Sequence, residues 1–155
     1  MSQGEPKGSF VRWQGITIGQ LSYAINLILG FSVAALGFQL SLLQSSNFVP
    51  SSWGKCVFSI SLISLFSSTA FGISVVINRL RDFRLTMRVA RKRESLIEEK
   101  KSEEEINFEL LPNRTKSRKL GNTTWVLFWW QLGTFGIGIF CATLATLATF
   151  GKKLL

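Results

Sequence analysis

The chain has 155 residues, 46% of them apolar, a net charge of +9 and no histidine. These features exclude Ser-His-Asp and Cys-His machinery, histidine metal sites and histidine-ligated haem. With no GxxxxGK[ST] loop, no CxxC pair, and a single aspartate, Asp82, placed among arginines where an ion pair accounts for it, no enzyme, cofactor or metal is expected.

The charges are unevenly placed. Thr17 to Asn47, Cys56 to Asn78 and Asn122 to Gly151 contain no Asp, Glu, Lys or Arg. Each run exceeds the roughly 18 residues that mark a membrane span and is long enough to cross a hydrocarbon core of about 30 Å. The expected fold is therefore all-α: one integral membrane domain over residues 1–155, with spans at 16–43, 56–77 and 125–150 and a cytosolic insertion at 78–121. Residues 1–9 are short, polar and glycine-bearing, and read as a frayed end. The first apolar run is about twice the length of a signal-peptide h-region and has no cleavage site before a polar mature domain, so it stays in the protein.

Along the first span, Gly15, Gly19, Ser22, Asn26, Gly30, Ala34, Gly37 and Ser41 recur at a mean spacing close to the helical repeat. Every member is small or polar. Such a face either packs closely against another helix, with Asn26 hydrogen-bonding across the seam, or lines a hydrated pore in an oligomer. Gln20 and Gln39 flank it and suit either purpose. The loop from Gln44 to Lys55 is rich in turn formers and too short for a domain. In the second span Ser61, Ser64, Ser68 and Gly72 make a similar strip, and in the third Gln131, Thr134, Gly138, Ala142, Ala145 and Thr149 make another, which predicts tight bundling. Cys56 and Cys141 lie at or inside spans and read as small apolar fillers, with no disulfide expected.

Beyond Asn78 the second span continues as a helix without Gly or Pro. Leu80, Phe83, Met87, Ala90 and Ile97 form an apolar seam that requires a partner helix. Beside it run Arg81, Arg84, Arg88 and Arg91, suited either to anionic lipid headgroups or, in a ring of such helices, to a polyanion such as a nucleotide or oligonucleotide. The acidic second half leads to Pro112-Asn113, where a reversal is expected, followed by either a returning helix or an extended stretch.

Orientation follows from the basic residues. Thirteen lie between Arg79 and Lys119, two (Lys7 and Arg12) precede the first span, one (Lys55) lies in the first loop, and two (Lys152 and Lys153) follow the third span. The positive-inside rule places the N-terminus and the insertion in the cytosol and the C-terminus outside. Trp125, Trp129 and Trp130 fit an interfacial belt, with Trp13 and Trp53 at comparable depths.

Three spans, the basic NRLRDFRLTMRVARKR helix and the absence of catalytic residues together resemble the small multi-pass membrane effectors of bacterial antiphage defence. The closest likeness is to the channel subunit of Hailong-type systems, with a more distant one to two-span SLATT-type effectors, from which the third span departs. The resemblance implies a homo-oligomeric, tetrameric ion channel that depolarises the membrane, held shut by a nucleotide-type ligand from a partner enzyme. Two other functions fit the residues: a non-catalytic membrane scaffold that binds a cytosolic partner, and a protein that binds lipids through its basic helix.

Overall fold

The computed structural model describes residues 7–46 and 48–150, with side-chain surroundings from Gly15 onward. It is helical throughout, with α1 over Lys7–Gln44, α2 over Ser52–Glu98 and α3 over Glu103–Phe150. Each helix contains a stretch long and apolar enough to cross a membrane. α1 begins at Lys7, inside the segment expected to fray. Residues 1–6, Lys152 and Lys153, and the side chains of Lys7, Arg12 and Trp13, lie outside the described set.

At 47 and 48 residues, α2 and α3 are each about 70 Å long, more than twice what a bilayer core needs. They lie antiparallel along their whole length, and α1 packs mainly on α2. The pair therefore has two parts: an apolar three-helix bundle, and a two-helix arm extending beyond it from about Asn78 through the turn at 99–102 and back to Thr124.

The arm settles the choice left open by the sequence, because the returning segment is helical. The reversal falls at 99–102, not at Pro112-Asn113. α2 ends in a Schellman motif: the Lys101 N–H donates to the Leu96 carbonyl and the Lys100 N–H to that of Ile97, with Lys100 in the left-handed region at φ 55°. α3 then starts in a capping box. The Ser102 hydroxyl accepts from the Glu105 N–H, and the Glu105 carboxylate accepts from the Ser102 N–H. Three glutamates in the first turn of α3 add favourable charge against its dipole. Pro112 lies inside α3 and cannot donate to the Phe108 carbonyl. Nearby, fully buried Leu110 packs with Leu96, Ile106 and Val89, and this contact carries the helix through the gap.

The apolar seam also faces differently from its expected position. Leu80, Phe83, Met87, Ala90 and Ile97 are all exposed. The neighbouring face of α2 meets α3 instead. The Asn78 amide donates to the Leu120 carbonyl and Thr124 hydroxyl, Ser117 donates to Asp82, Val89 and Leu96 meet Ile106 and Leu110, and Lys92 pairs with Glu109. Asp82 thus serves as an acceptor for Ser117 and, among the described residues, makes no ion pair. Partners lie at roughly equal chain distances from Lys100, as a hairpin register requires.

At the opposite end of the bundle Phe48, from the α1–α2 connection, packs on Phe58 at 5.0 Å and Phe150 at 6.3 Å between ring centroids, joined by Val57 and Ala145. Cys141 packs against this cluster, Cys56 is exposed, and both are free thiols. The Ser51 hydroxyl caps α2 by accepting from the Gly54 N–H at 3.3 Å.

Candidate functional site

Three polar features organise the molecule, and the first is internal. In the bundle α1 turns Ile25, Ser32 and Gln39 inward, all buried and seven residues apart. α3 does the same with Thr124, Gln131, Gly138 and Ala145. A seven-residue repeat keeps one face on its neighbours in a left-handed supercoil. Successive layers are tied by hydrogen bonds. The Ser68 hydroxyl donates to the Gln131 carbonyl at 3.0 Å and lies 3.1 Å from that of Ser32; the Gln39 amide donates to Ser61, which donates to the Gly138 carbonyl at 2.6 Å. Interhelical bonds of this kind contribute about 0.6–2 kcal/mol each in membranes. Gly72 and Gly138 permit the approach: a Cβ on Gly72 would lie 2.7 Å from Gln131 Nε2, and one on Gly138 2.7 Å from Leu65 Cγ. The strips on the second and third helices therefore meet each other inside one chain. Gln39 belongs to this interior, and its Oε1, like that of Gln131, is buried without a hydrogen-bond partner.

The second feature is the α1 stripe. Asn26, Gly30, Ala34, Gly37 and Ser41 are exposed, as are Gly15, Gly19 and Gln20, and open space surrounds each glycine of the stripe. Within the chain this face makes no close helix contact. Ser22 alone is half-buried. Arg79 donates to its hydroxyl and, at 3.3 Å, to the Ile18 carbonyl, while its guanidinium lies over the Phe83 ring. A cleft of about 170 Å³ between α1 and α2, lined by Ser22, Asn26, Leu80 and Phe83 among others, joins the stripe to the exposed arm seam. Leu80 and Phe83 of the seam thus lie beside Ser22 and Asn26 of the stripe.

The third feature is a basic groove between α2 and α3, at the end of the arm nearest the bundle, with a volume of about 590 Å³. Arg81, Arg84 and Arg88 line one wall, and Lys116 and Lys119 the other, over a floor that includes Leu85 and Leu120. Arg91 stands outside it, in a smaller depression of about 150 Å³ with Arg84, Met87 and Arg88. Of the four arginines singled out in the sequence, three converge on this groove. Lys116 and Lys119 were missed. Their spacing of three on one helical face was legible, but their position opposite the arginines depends on the register set at 99–102.

The arm's ion pairs gather at its tip. Glu109 accepts from Lys101 at 2.7 Å and from Lys92 at 3.2 Å, and Lys101 also meets Glu99 at 3.5 Å. The Lys101 hydrogen bond, followed by that of Lys92, holds the Glu109 carboxyl below its ordinary range, and the bond to Glu109 raises the Lys101 ammonium. A carboxyl lowered on folding stabilises the arm fully above its ordinary value, and that contribution is lost as pH falls through the lowered one. The raised lysine contributes below its ordinary value and loses its effect only as strongly alkaline pH passes the raised one. Acidification is thus expected to lower the protection factors of the Leu96 and Ile106 amides, read after correction for the intrinsic pH dependence of exchange, and Glu109→Gln should remove most of that fall.

No protein-family model, curated protein or solved structure matches the chain.

Proposed function

We propose that this chain is a non-enzymatic integral membrane subunit that self-associates into an ion channel and depolarises the membrane as a defence effector. In this proposal the N-terminus and arm are cytosolic and the C-terminus is outside. A nucleotide or oligonucleotide made by a cytosolic partner enzyme acts on the groove-lining arginines Arg81, Arg84 and Arg88, and the assembly is a homo-oligomer, with the tetramer taken from the resemblance. The observation that carries the proposal is the outward-facing stripe of α1. The chain's internal packing uses other residues: Asn26 is exposed at the edge of the cleft it shares with α2, and the stripe glycines have open space around them. A carboxamide facing hydrocarbon leaves its donors and acceptors unpaired, which favours a second copy or water as its neighbour. One three-helix chain has no room for a hydrated path, whereas several copies meeting at this face do.

The exposed arm seam favours a second function. Leu80, Phe83, Met87 and Ile97 offer a docking strip for a soluble protein, as a membrane scaffold would. Conductance separates the two. Purified protein in planar bilayers is expected to produce discrete current steps, and bilayers that stay silent at protein densities giving stable oligomers would leave the scaffold function standing instead.

A further inference from the structure

We infer that the α2–α3 groove is a binding site for a ligand bearing two or more phosphate groups, held by arginines of one helix and lysines of the other. This deepens the ligand-gated function proposed above by placing the site within a single chain; it requires no conduction.

The charge distribution comes first. Five cations face one groove, and none of them lies within ion-pair distance of a carboxylate among the described residues. The carboxylate nearest in sequence, Asp82, is engaged by Ser117, and Glu109 is held at the tip by Lys92 and Lys101. Cations that only need solvation can diverge into water. Here five exposed basic side chains from two helices border one groove, and an anion seated in it would relieve their mutual repulsion. The volume of about 590 Å³ falls within the range of small-ligand pockets, and arginine and lysine together provide planar forks and point charges for phosphate oxygens.

Depth indicates how many phosphates. Asn78 and Thr123 mark the end of the groove that adjoins the apolar bundle. Along the helix axis Arg81 lies about 5 Å beyond Asn78, Arg84 about 9 Å and Arg88 about 15 Å. The headgroup layer of one leaflet is only about 5–7 Å thick. A single phosphodiester at that end therefore lies beside Arg81 and Lys119, while Arg88 is rooted about two helical turns farther out. A ligand that satisfies the whole groove carries phosphates at two depths. A multiply phosphorylated lipid headgroup and a soluble polyphosphate share that chemistry.

The test uses the full chain in phosphatidylcholine nanodiscs. One arm titrates soluble tripolyphosphate, and the other compares nanodiscs with and without a bisphosphorylated phosphoinositide, both read by intrinsic tryptophan fluorescence and native mass spectrometry. Binding is expected in at least one arm. Binding in the first assigns a soluble source, and binding confined to the second a lipid source. Lys116→Gln with Lys119→Gln, and separately Arg84→Gln with Arg88→Gln, should each weaken binding about tenfold or more. Lys116→Arg with Lys119→Arg should restore most of it, which also shows that loss is not misfolding. Arg91→Gln with Arg93→Gln, outside the groove, should change it less than about twofold, within the range of an exposed charge. An absence of binding in both arms, or equal weakening by the Arg91 and Arg93 pair, overturns the site. Neither result bears on whether the protein conducts.

Discussion

Gly138→Val is expected to break the packing of α3 against α2, whereas Gly136→Val, two residues away on the same helix, leaves it intact. A Cβ on Gly138 falls 2.7 and 2.8 Å from the Leu65 side chain and 3.2 Å from the Leu65 backbone nitrogen, while one on Gly136 meets nothing within 4 Å. Leu65 is itself fully buried and cannot swing aside, and the backbone behind it cannot retreat without carrying α2 with it. The Gly138 carbonyl also accepts from Ser61, which in turn accepts from Gln39, so moving α3 outward breaks the link to both other helices. Overpacking of this kind costs about 1–3 kcal/mol, and loss of the shared hydrogen bonds adds about 1 kcal/mol. Unfolding in mild detergent, followed by tryptophan fluorescence, should show a clear drop in midpoint for Gly138→Val alone. Equal midpoints for the two variants would mean that α2 and α3 do not meet at this layer.

Substitutions on the outward stripe of α1 should show the reverse pattern. Asn26→Leu and Gly30→Leu change residues that are exposed within the chain, and no side chain is displaced by a Cβ at Gly30. The unfolding midpoint of the single chain should therefore barely move. If copies meet through this face, each change removes an interhelical contact of about 1–2 kcal/mol or blocks close approach, weakening association roughly tenfold. Size-exclusion in mild detergent should shift toward the monomer, and current in planar bilayers should fall in step. An unchanged oligomer with unchanged current would remove the stripe from both assembly and conduction. The pairing with Gly138→Val matters because it separates loss of assembly from loss of fold.

Much of the architecture was legible in the sequence. Three charge-free runs, each longer than a bilayer core requires, dictated three long apolar helices, because no other arrangement satisfies so many consecutive backbone groups without water. The serine strip of α2 and the Gln131 to Thr149 strip of α3 were recognisable as packing faces from their small and polar side chains, and they meet as those side chains demand. The position of the arm turn was also written in the chain. The Ser102-Glu103-Glu104-Glu105 run is a capping signature, and it prevails over Pro112 because a helix flanked by good packing tolerates one missing hydrogen bond, while an uncapped start leaves several donors unmet. What periodicity alone did not decide was which face of a helix turns inward. α1 carries the small-polar stripe on one face and the mixed line Ile25, Ser32 and Gln39 on another, and Ser61 and Ser68 on α2, opposite Gln39 and Ser32, select the second. The arm likewise carries two apolar faces, and the register set at Lys100 buries Leu85, Val89 and Leu96 more deeply than Leu80, Phe83 and Met87. The groove belongs to the same class of fact. Arginines every three or four residues were visible along one helix, but that two lysines stand across from them depends on where a partner helix about 30 residues away in sequence comes to lie, a choice made by side-chain complementarity between helices and carried by neither one alone.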